Sequence, residues 1–295
     1  MARVTEWQFL DDRGRMAAVG NRPGRLVAYV QAGAALFDHG IRPVGVFGSH
    51  HDGDTVDPAK AGALPHDEIA YLGSGAAVDA EAVLRARPDL LVAVTYGSDQ
   101  VYGLDPDTAK HIEERVPVVV LDVGQGRSLD DVRERFAALA RSLGAQDDPA
   151  AAAELAGARQ RLRSAAAEAG GARVLALSPA APDSVHLARP HTWPDLRALA
   201  ECGVALVAPE AGPGVNWSTV DRASAARLEA EIVLTDVRVN ALSLDGPTAV
   251  ELRRALAARA RIVPWNPELA PGPAAHAAFF DTVAGALRAV AASPS

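Results

Sequence analysis

The sequence predicts an α/β protein of two doubly wound lobes with parallel-rich sheets, joined by one long backbone helix, with a ligand cleft between the lobes. Three observations predict it. Short apolar runs without polar alternation recur between helical segments, which is the pattern of parallel strands covered on both faces. At the midpoint, Asp148 and Pro149 open about twenty helix-favouring residues without a break. Beyond that helix the strand and helix alternation starts again, so residues 1–147, 148–170 and 171–295 are expected as lobe, connecting helix and lobe. A single doubly wound sheet is the alternative, but it has no need of an Ala-rich helix of this length at its centre.

Taken in order, residues 7–19 (WQFLDDRGRMAAV) read as a hairpin turning at Asp11-Asp12-Arg13-Gly14. RLVAYV, the helical AGAALFDHG closed by Gly40, and RPVGVF then form a βαβ unit. Helix 79–86, strand 88–95, helix 105–115, strand 116–122 and helix 128–143 continue the alternation. Residues 52–65 read as a long loop beginning with solvated turn residues, Asp52 to Asp57. After the midpoint helix come the strand RVLALS, then VALVAP, the helix SAARLEAE, the strand IVLTDV, a helix over 247–259 and a final amphipathic helix near 274–291.

Composition narrows the function. A net charge of -8 argues against a phosphate-backbone partner, so no nucleic acid is expected. Cys202 is the only cysteine, which excludes an internal disulfide and a thiolate zinc site. No run reaches the roughly 18 to 20 apolar residues of a membrane span, and a monomer is expected. A trimmed leader would make this an extracytoplasmic, membrane-anchored lipoprotein; a true start at Met1 would leave it in the cytoplasm. Lys60 and Lys110 are the only lysines, so nearly all positive charge is arginine.

Ligands of open parallel sheets sit beyond the carboxyl ends of the strands. That rule selects Gln31, Ser49, His50, Tyr96, Tyr102, Arg189, His191, Trp193, Trp217, Arg238 and Trp265 as candidate ligand-binding residues. The tyrosines and tryptophans offer walls with a polar tip, and the two arginines offer paired donors for an oxygen-rich shell. Trp217 follows the loop GPGVN, where an indole has no strand or helix stripe to join, whereas Trp193 could equally staple the start of a helix.

In VFGSHHDGD, His50 and His51 are adjacent and therefore point to opposite sides of an extended chain. A convergent set with His66, Asp52 and Asp54 lacks HxH or HxxxH spacing, so no metal ligands are assigned. A nucleophile elbow is missing, Gly124-Gln125-Gly126 has no lysine to complete a phosphate loop, and no catalytic residues or cofactor are assigned.

The segments RPGRLVAYVQAGAALFDHGIRPVGVFG, YLGSGAAVDAEAVLRARPDLLVAV and VPVVVLDVG, followed by the midpoint helix, resemble the helical-backbone (class III) substrate-binding proteins of ABC importers. The likeness runs from the hairpin to the last helix and is closest to the iron-siderophore branch. It implies a ferric hydroxamate, catecholate or mixed siderophore gripped between lobes that move little, and delivery to an ABC permease without chemistry. Family members carry permease-contacting glutamates. Here Ala34 to Gly40 contains none, and in the second lobe Asp221 or Glu229 is the available substitute. A cytosolic enzyme or metabolite-binding protein on the same scaffold is the rival reading, and haem or cobalamin cargo through His50, His51 or a tyrosine a third.

Overall fold

A computed structural model of the chain describes residues 6–124 and 126–292, so Met1 and Gln125 lie outside the described residues. The chain forms two compact units. One holds the residues up to Asp148 together with Glu268–Gly272; the other holds Pro149–Pro267 and the residues from Pro273 onward.

The first unit opens with the hairpin of β1 (Trp7–Leu10) and β2 (Met16–Val19), paired antiparallel. Its sheet then alternates with helices: β3 (Leu26–Tyr29), α1 (Val30–Asp38), β4 (Gly45–Gly48), α2 (Pro58–Ala61), β5 (Ala70–Ser74), α3 (Ala80–Arg85), β6 (Leu90–Thr95), α4 (Pro106–Glu113), β7 (Val118–Asp122) and α5 (Leu129–Ser142). Strand order is β5-β4-β3-β6-β7, every neighbour pair parallel. Every residue of β3, β4 and β6 is buried, as the unbroken apolar runs require of a sheet covered on both faces. Side-chain caps start the helices: Asp57 for α2, Asp79 for α3, and Ser128 with Asp131 in a reciprocal capping box for α5.

The hairpin turn lies along β7, an edge strand. Val120 N–H donates to Asp11 Oδ2 at 3.3 Å and Asp122 N–H to Asp12 Oδ2 at 2.8 Å, while Asp12 N–H donates to the Val120 carbonyl at 3.0 Å. Arg13 and Arg135 in turn pair with Asp11 and Asp12 at 2.8 and 2.7 Å.

The second unit begins with α6 (Pro149–Glu168), the long helix the midpoint predicts, and continues through β8 (Arg173–Pro179), β9 (Ser184–Ala188), α7 (Pro194–Glu201), β10 (Ala205–Leu206), β11 (Trp217–Asp221), α8 (Arg222–Arg227), β12 (Ile232–Asp236), α9 (Val250–Ala257), β13 (Arg261–Trp265) and α10 (Pro273–Ala291). Its sheet runs β11-β9-β8-β12-β13, with β10 also on β8. β8, β10, β12 and β13 are parallel neighbours, but β9 and β11 form an antiparallel edge. α6 packs on α10, burying Leu155, Ala158 and Leu162 on one helix and Phe280, Val283 and Leu287 on the other.

Two expectations are corrected. Trp217 is not a loop residue: it opens β11 and lies opposite Ala188 in the ladder. Residues 52–65 are not a solvated loop either, because they carry α2, and Asp57, Lys60 and Asp52 turn inward.

Candidate functional site

In the first unit, the strand ends of β3, β4 and β6 supply Gln31, Ser49, His50, Tyr96 and Tyr102. Beneath them lies a polar cluster built on Lys60, whose side chain is fully buried. Its Nζ stands 2.7 Å from Asp52 Oδ1 and 3.0 Å from Glu268 Oε1, and 3.3 Å from both the Tyr29 hydroxyl and Ser49 Oγ. Tyr29 donates a short hydrogen bond to Glu268 Oε2. Asp52 Oδ2 accepts from Ser49 twice, from its N–H at 2.6 Å and its hydroxyl at 3.0 Å.

An ammonium removed from water costs several kcal/mol unless it is paired and hydrogen-bonded, and the two carboxylates and two hydroxyls around Lys60 offset that cost. Burial, and then the negative charge of Glu268, hold the Tyr29 hydroxyl well above its ordinary pKa, so it stays protonated and can donate. Ser49 is therefore a strut of this cluster.

The cluster fixes the turn that carries His50. That imidazole is about half exposed, with Nε2 3.6 Å from Asp105 Oδ1, while His51 is exposed. Gly75 makes the placement possible. Its φ is +52°, and a Cβ there would stand 2.5 Å from His50 Nδ1 and 2.8 Å from His50 Cα. Among the described residues no group of three His, Cys, Asp or Glu is arranged to hold a metal ion.

Three tyrosines form a ladder at the same strand ends. Tyr29 meets Tyr102 edge-on at 5.4 Å, and Tyr102 meets Tyr96 at 4.8 Å. Tyr29 is buried, whereas Tyr96 and Tyr102 are part-exposed, so the ladder runs from the ionic cluster outward. Gln31 is also buried. Its Nε2 donates to the Leu269 carbonyl at 3.3 Å, but its Oε1 is a buried acceptor with no partner among the described residues.

The second unit assembles an indole cluster. Trp193 lies 5.0 Å from Trp217 and 5.7 Å from Trp265, and Trp217 lies 5.9 Å from Trp265. Trp193 and Trp265 are buried and anchored through their N–H groups, to the Asn216 carbonyl at 3.2 Å and to Asp195 Oδ2 at 2.5 Å. Trp217 alone of the three is part-exposed, with His186 6.0 Å away on its other side. Burial lowers the pKa of His186 and raises that of Asp195 to about 6.

Both arginines differ from the paired donors that sequence position suggested. Arg189 spends its guanidinium on main-chain carbonyls, with Nε donating to Gly214 at 3.0 Å, Nη1 to Glu210 at 3.1 Å and Nη2 to Gly212 at 3.2 Å. It clasps the loop that leads into Trp217. Arg238 is forked onto Asp236, whose Oδ2 lies 2.7 Å from Nη2 and also accepts from Ser178. His191 does not join the indoles. It lines a groove of about 410 Å³ with Pro190, Arg197, Glu201, Leu206 and Ala208.

Sequence reasoning missed Tyr29, Asp52, Lys60 and Glu268 in the first unit, and Asp195 and Asp236 in the second. Only Lys60 carried a signal, as one of two lysines in an arginine-rich chain. Glu268 is about 240 residues from Tyr29 in sequence, and no local pattern links them.

Compared with known proteins, the chain matches no protein-family model and no curated protein sequence. It does match solved structures along most of its length. It is similar to DesE, a ferric-siderophore receptor protein from Streptomyces coelicolor, with a TM-score of 0.84 and 25% identity over 95% of this chain and 97% of that one. A siderophore periplasmic binding protein from the fuscachelin gene cluster of Thermobifida fusca gives a TM-score of 0.60 at 16% identity, covering 90% and 97%. A periplasmic heme binding protein from Pseudomonas aeruginosa gives 0.59 at 20%, covering 88% and 92%.

Proposed function

We propose that this chain, which has the two-lobe fold of the class III solute-binding proteins, binds a ferric siderophore outside the cytoplasm and delivers it to an ABC permease. The likeness to DesE over nearly the full length of both chains is the observation that carries the reading. The strand ends support it. One unit presents Tyr96, Tyr102, Ser49 and Gln31; the other presents Trp217 on a backing of Trp193 and Trp265.

These groups suit the organic shell of a metal complex better than a bare ion, because they offer aromatic faces and a few hydrogen-bonding tips. Gln31 Oε1, buried and without a partner among the described residues, is an acceptor that a bound donor would satisfy. Binding requires no bond to be made or broken, so the chain acts as a carrier.

The test is tryptophan fluorescence of the intact chain titrated with ferric siderophores. Quenching with a dissociation constant of about 1 µM or tighter is expected, with weak response to free Fe(III). Trp217→Ala is expected to weaken binding about tenfold and to remove most of the quenching, as the loss of one central aromatic contact does. A Soret shift with haem and no response to any siderophore would replace this reading with haem carriage.

A further inference from the structure

In the second unit the stretch Glu210 to Asn216, which leads into β11, closes around one side chain. Arg189 Nε donates to the Gly214 carbonyl at 3.0 Å, Nη1 to Glu210 at 3.1 Å, and Nη2 to Gly212 at 3.2 Å and Pro213 at 3.4 Å. Its main-chain N–H donates to the Asn216 carbonyl at 2.9 Å, which also accepts from the Trp193 indole at 3.2 Å. Arg189 is buried and is held in turn by Thr192, whose N–H and hydroxyl donate to its carbonyl at 3.0 and 2.9 Å. Gly214 joins this clamp to the indole. Its φ is +87°, and a Cβ there would stand 2.5 Å from the Trp217 carbonyl, so the loop doubles back onto Trp217 at that point.

Packing does not give this loop its shape. Glu210 to Val215 are all exposed, and Gly212 and Gly214 widen the conformations open to them, at about 1–2 kcal/mol of entropy for each residue ordered. The guanidinium supplies what the core does not. Its five N–H donors lie in a fixed planar fork and meet the carbonyls of four residues, a reach that an ammonium with three donors on one atom lacks.

We infer that Arg189 is a positioning residue for ligand binding: it sets the part-exposed face of Trp217 before a ligand arrives, and does so through the loop rather than by touching the ligand. Direct donation to a ligand's oxygens would require the same N–H groups to leave the carbonyls they now hold. The binding half of the test rests on the proposed siderophore reading; the ligand-free half does not.

Binding is measured by equilibrium dialysis of a ferric trihydroxamate and a ferric tris-catecholate, followed through the visible absorbance of each complex, in a double-mutant cycle. Arg189→Ala is expected to weaken binding of the preferred complex about tenfold when Trp217 is present, and by less than about twofold when Trp217 is already Ala. Equal losses in the two backgrounds overturn the inference, because they place Arg189 on the ligand itself, and so does an unchanged affinity in Arg189→Ala.

The ligand-free chain is labelled with 5-fluorotryptophan, and the Trp217 resonance is identified by its loss in Trp217→Phe. Arg189→Ala and Arg189→Lys are both expected to shift or broaden that resonance while leaving Trp7, in the first unit, unchanged. Added guanidinium at about 20 mM, far below denaturing concentrations, is expected to restore it in Arg189→Ala, since the carbonyls again surround a planar cation. A general loss of stability would move Trp7 as well and would not respond to guanidinium, and that result counts against the inference. If the wild-type chain binds neither complex, the siderophore reading falls, and the Trp217 resonance still decides whether Arg189 positions the indole.

Discussion

The two units hold their strand-end groups by different means. In the first, an ammonium between two carboxylates fixes the turn of Ser49 and His50. In the second, three indoles pack against one another, and two are tied down through their N–H groups, Trp193 to a main-chain carbonyl and Trp265 to the Asp195 carboxylate. The difference teaches where each unit is vulnerable. A charged cluster fails abruptly when one member is removed, because the remaining charges stay buried without a partner, whereas a stacked cluster loses area in increments.

The harshest way to probe this contrast is Lys60→Met, which keeps the stem volume and leaves Asp52 and Glu268 facing each other. A loss of about 3–5 kcal/mol is expected, read as a lower urea midpoint with an unchanged slope. Asp195 sharpens the comparison from the other side. Its carboxyl, buried behind the indoles, is pushed up to about 6 from an ordinary value of 3.8. The folded state therefore holds this proton more tightly than the unfolded state does. Stability is expected to fall as pH rises from about 4 to about 6, by on the order of 3 kcal/mol, and Asp195→Asn should flatten that slope in thermal melts across the range.

A smaller effect is expected from Gly75→Ala. The +52° φ and the contact with His50 combine to cost about 1–2 kcal/mol, with the turn of His50 displaced in hydrogen-exchange measurements. The smallest belongs to a control outside both clusters. Arg254→Ala removes an exposed i,i+3 pair with Glu251 and should change stability by no more than about 0.5 kcal/mol in the same denaturation assay.

The same contrast explains what could be read from the sequence. The parallel sheet of the first unit was legible because burial on both faces forces unbroken apolar runs such as LVAY and LLVAVT. β9 and β11 were not, because an antiparallel edge mixes exposed and buried positions, and SVHLA and WSTVD look like loop sequence beside those runs. The aromatic candidates were found by position after a strand, a local property. The ionic cluster was not found, because Lys60 sits in a four-residue helix inside what reads as a polar loop, and its partners come from three separate segments: Tyr29, the Ser49 to Asp52 turn, and Glu268. Arg189 and Arg238 follow β9 and β12, but sequence gives no sign of whether a guanidinium faces a ligand or is already occupied.

The hairpin at the start of the chain also acts beyond its own turn. β7 is the last strand of its sheet, and such a strand ordinarily offers a row of unpaired amides on which another chain can build. Here the Asp11 and Asp12 carboxylates already occupy the outward N–H groups of Val120 and Asp122, and Arg13 and Arg135 hold those carboxylates in place. Charged groups turned onto a sheet edge are an obstacle to edge-to-edge aggregation, so four residues of a surface turn and one helix protect the sheet from joining a second copy of itself.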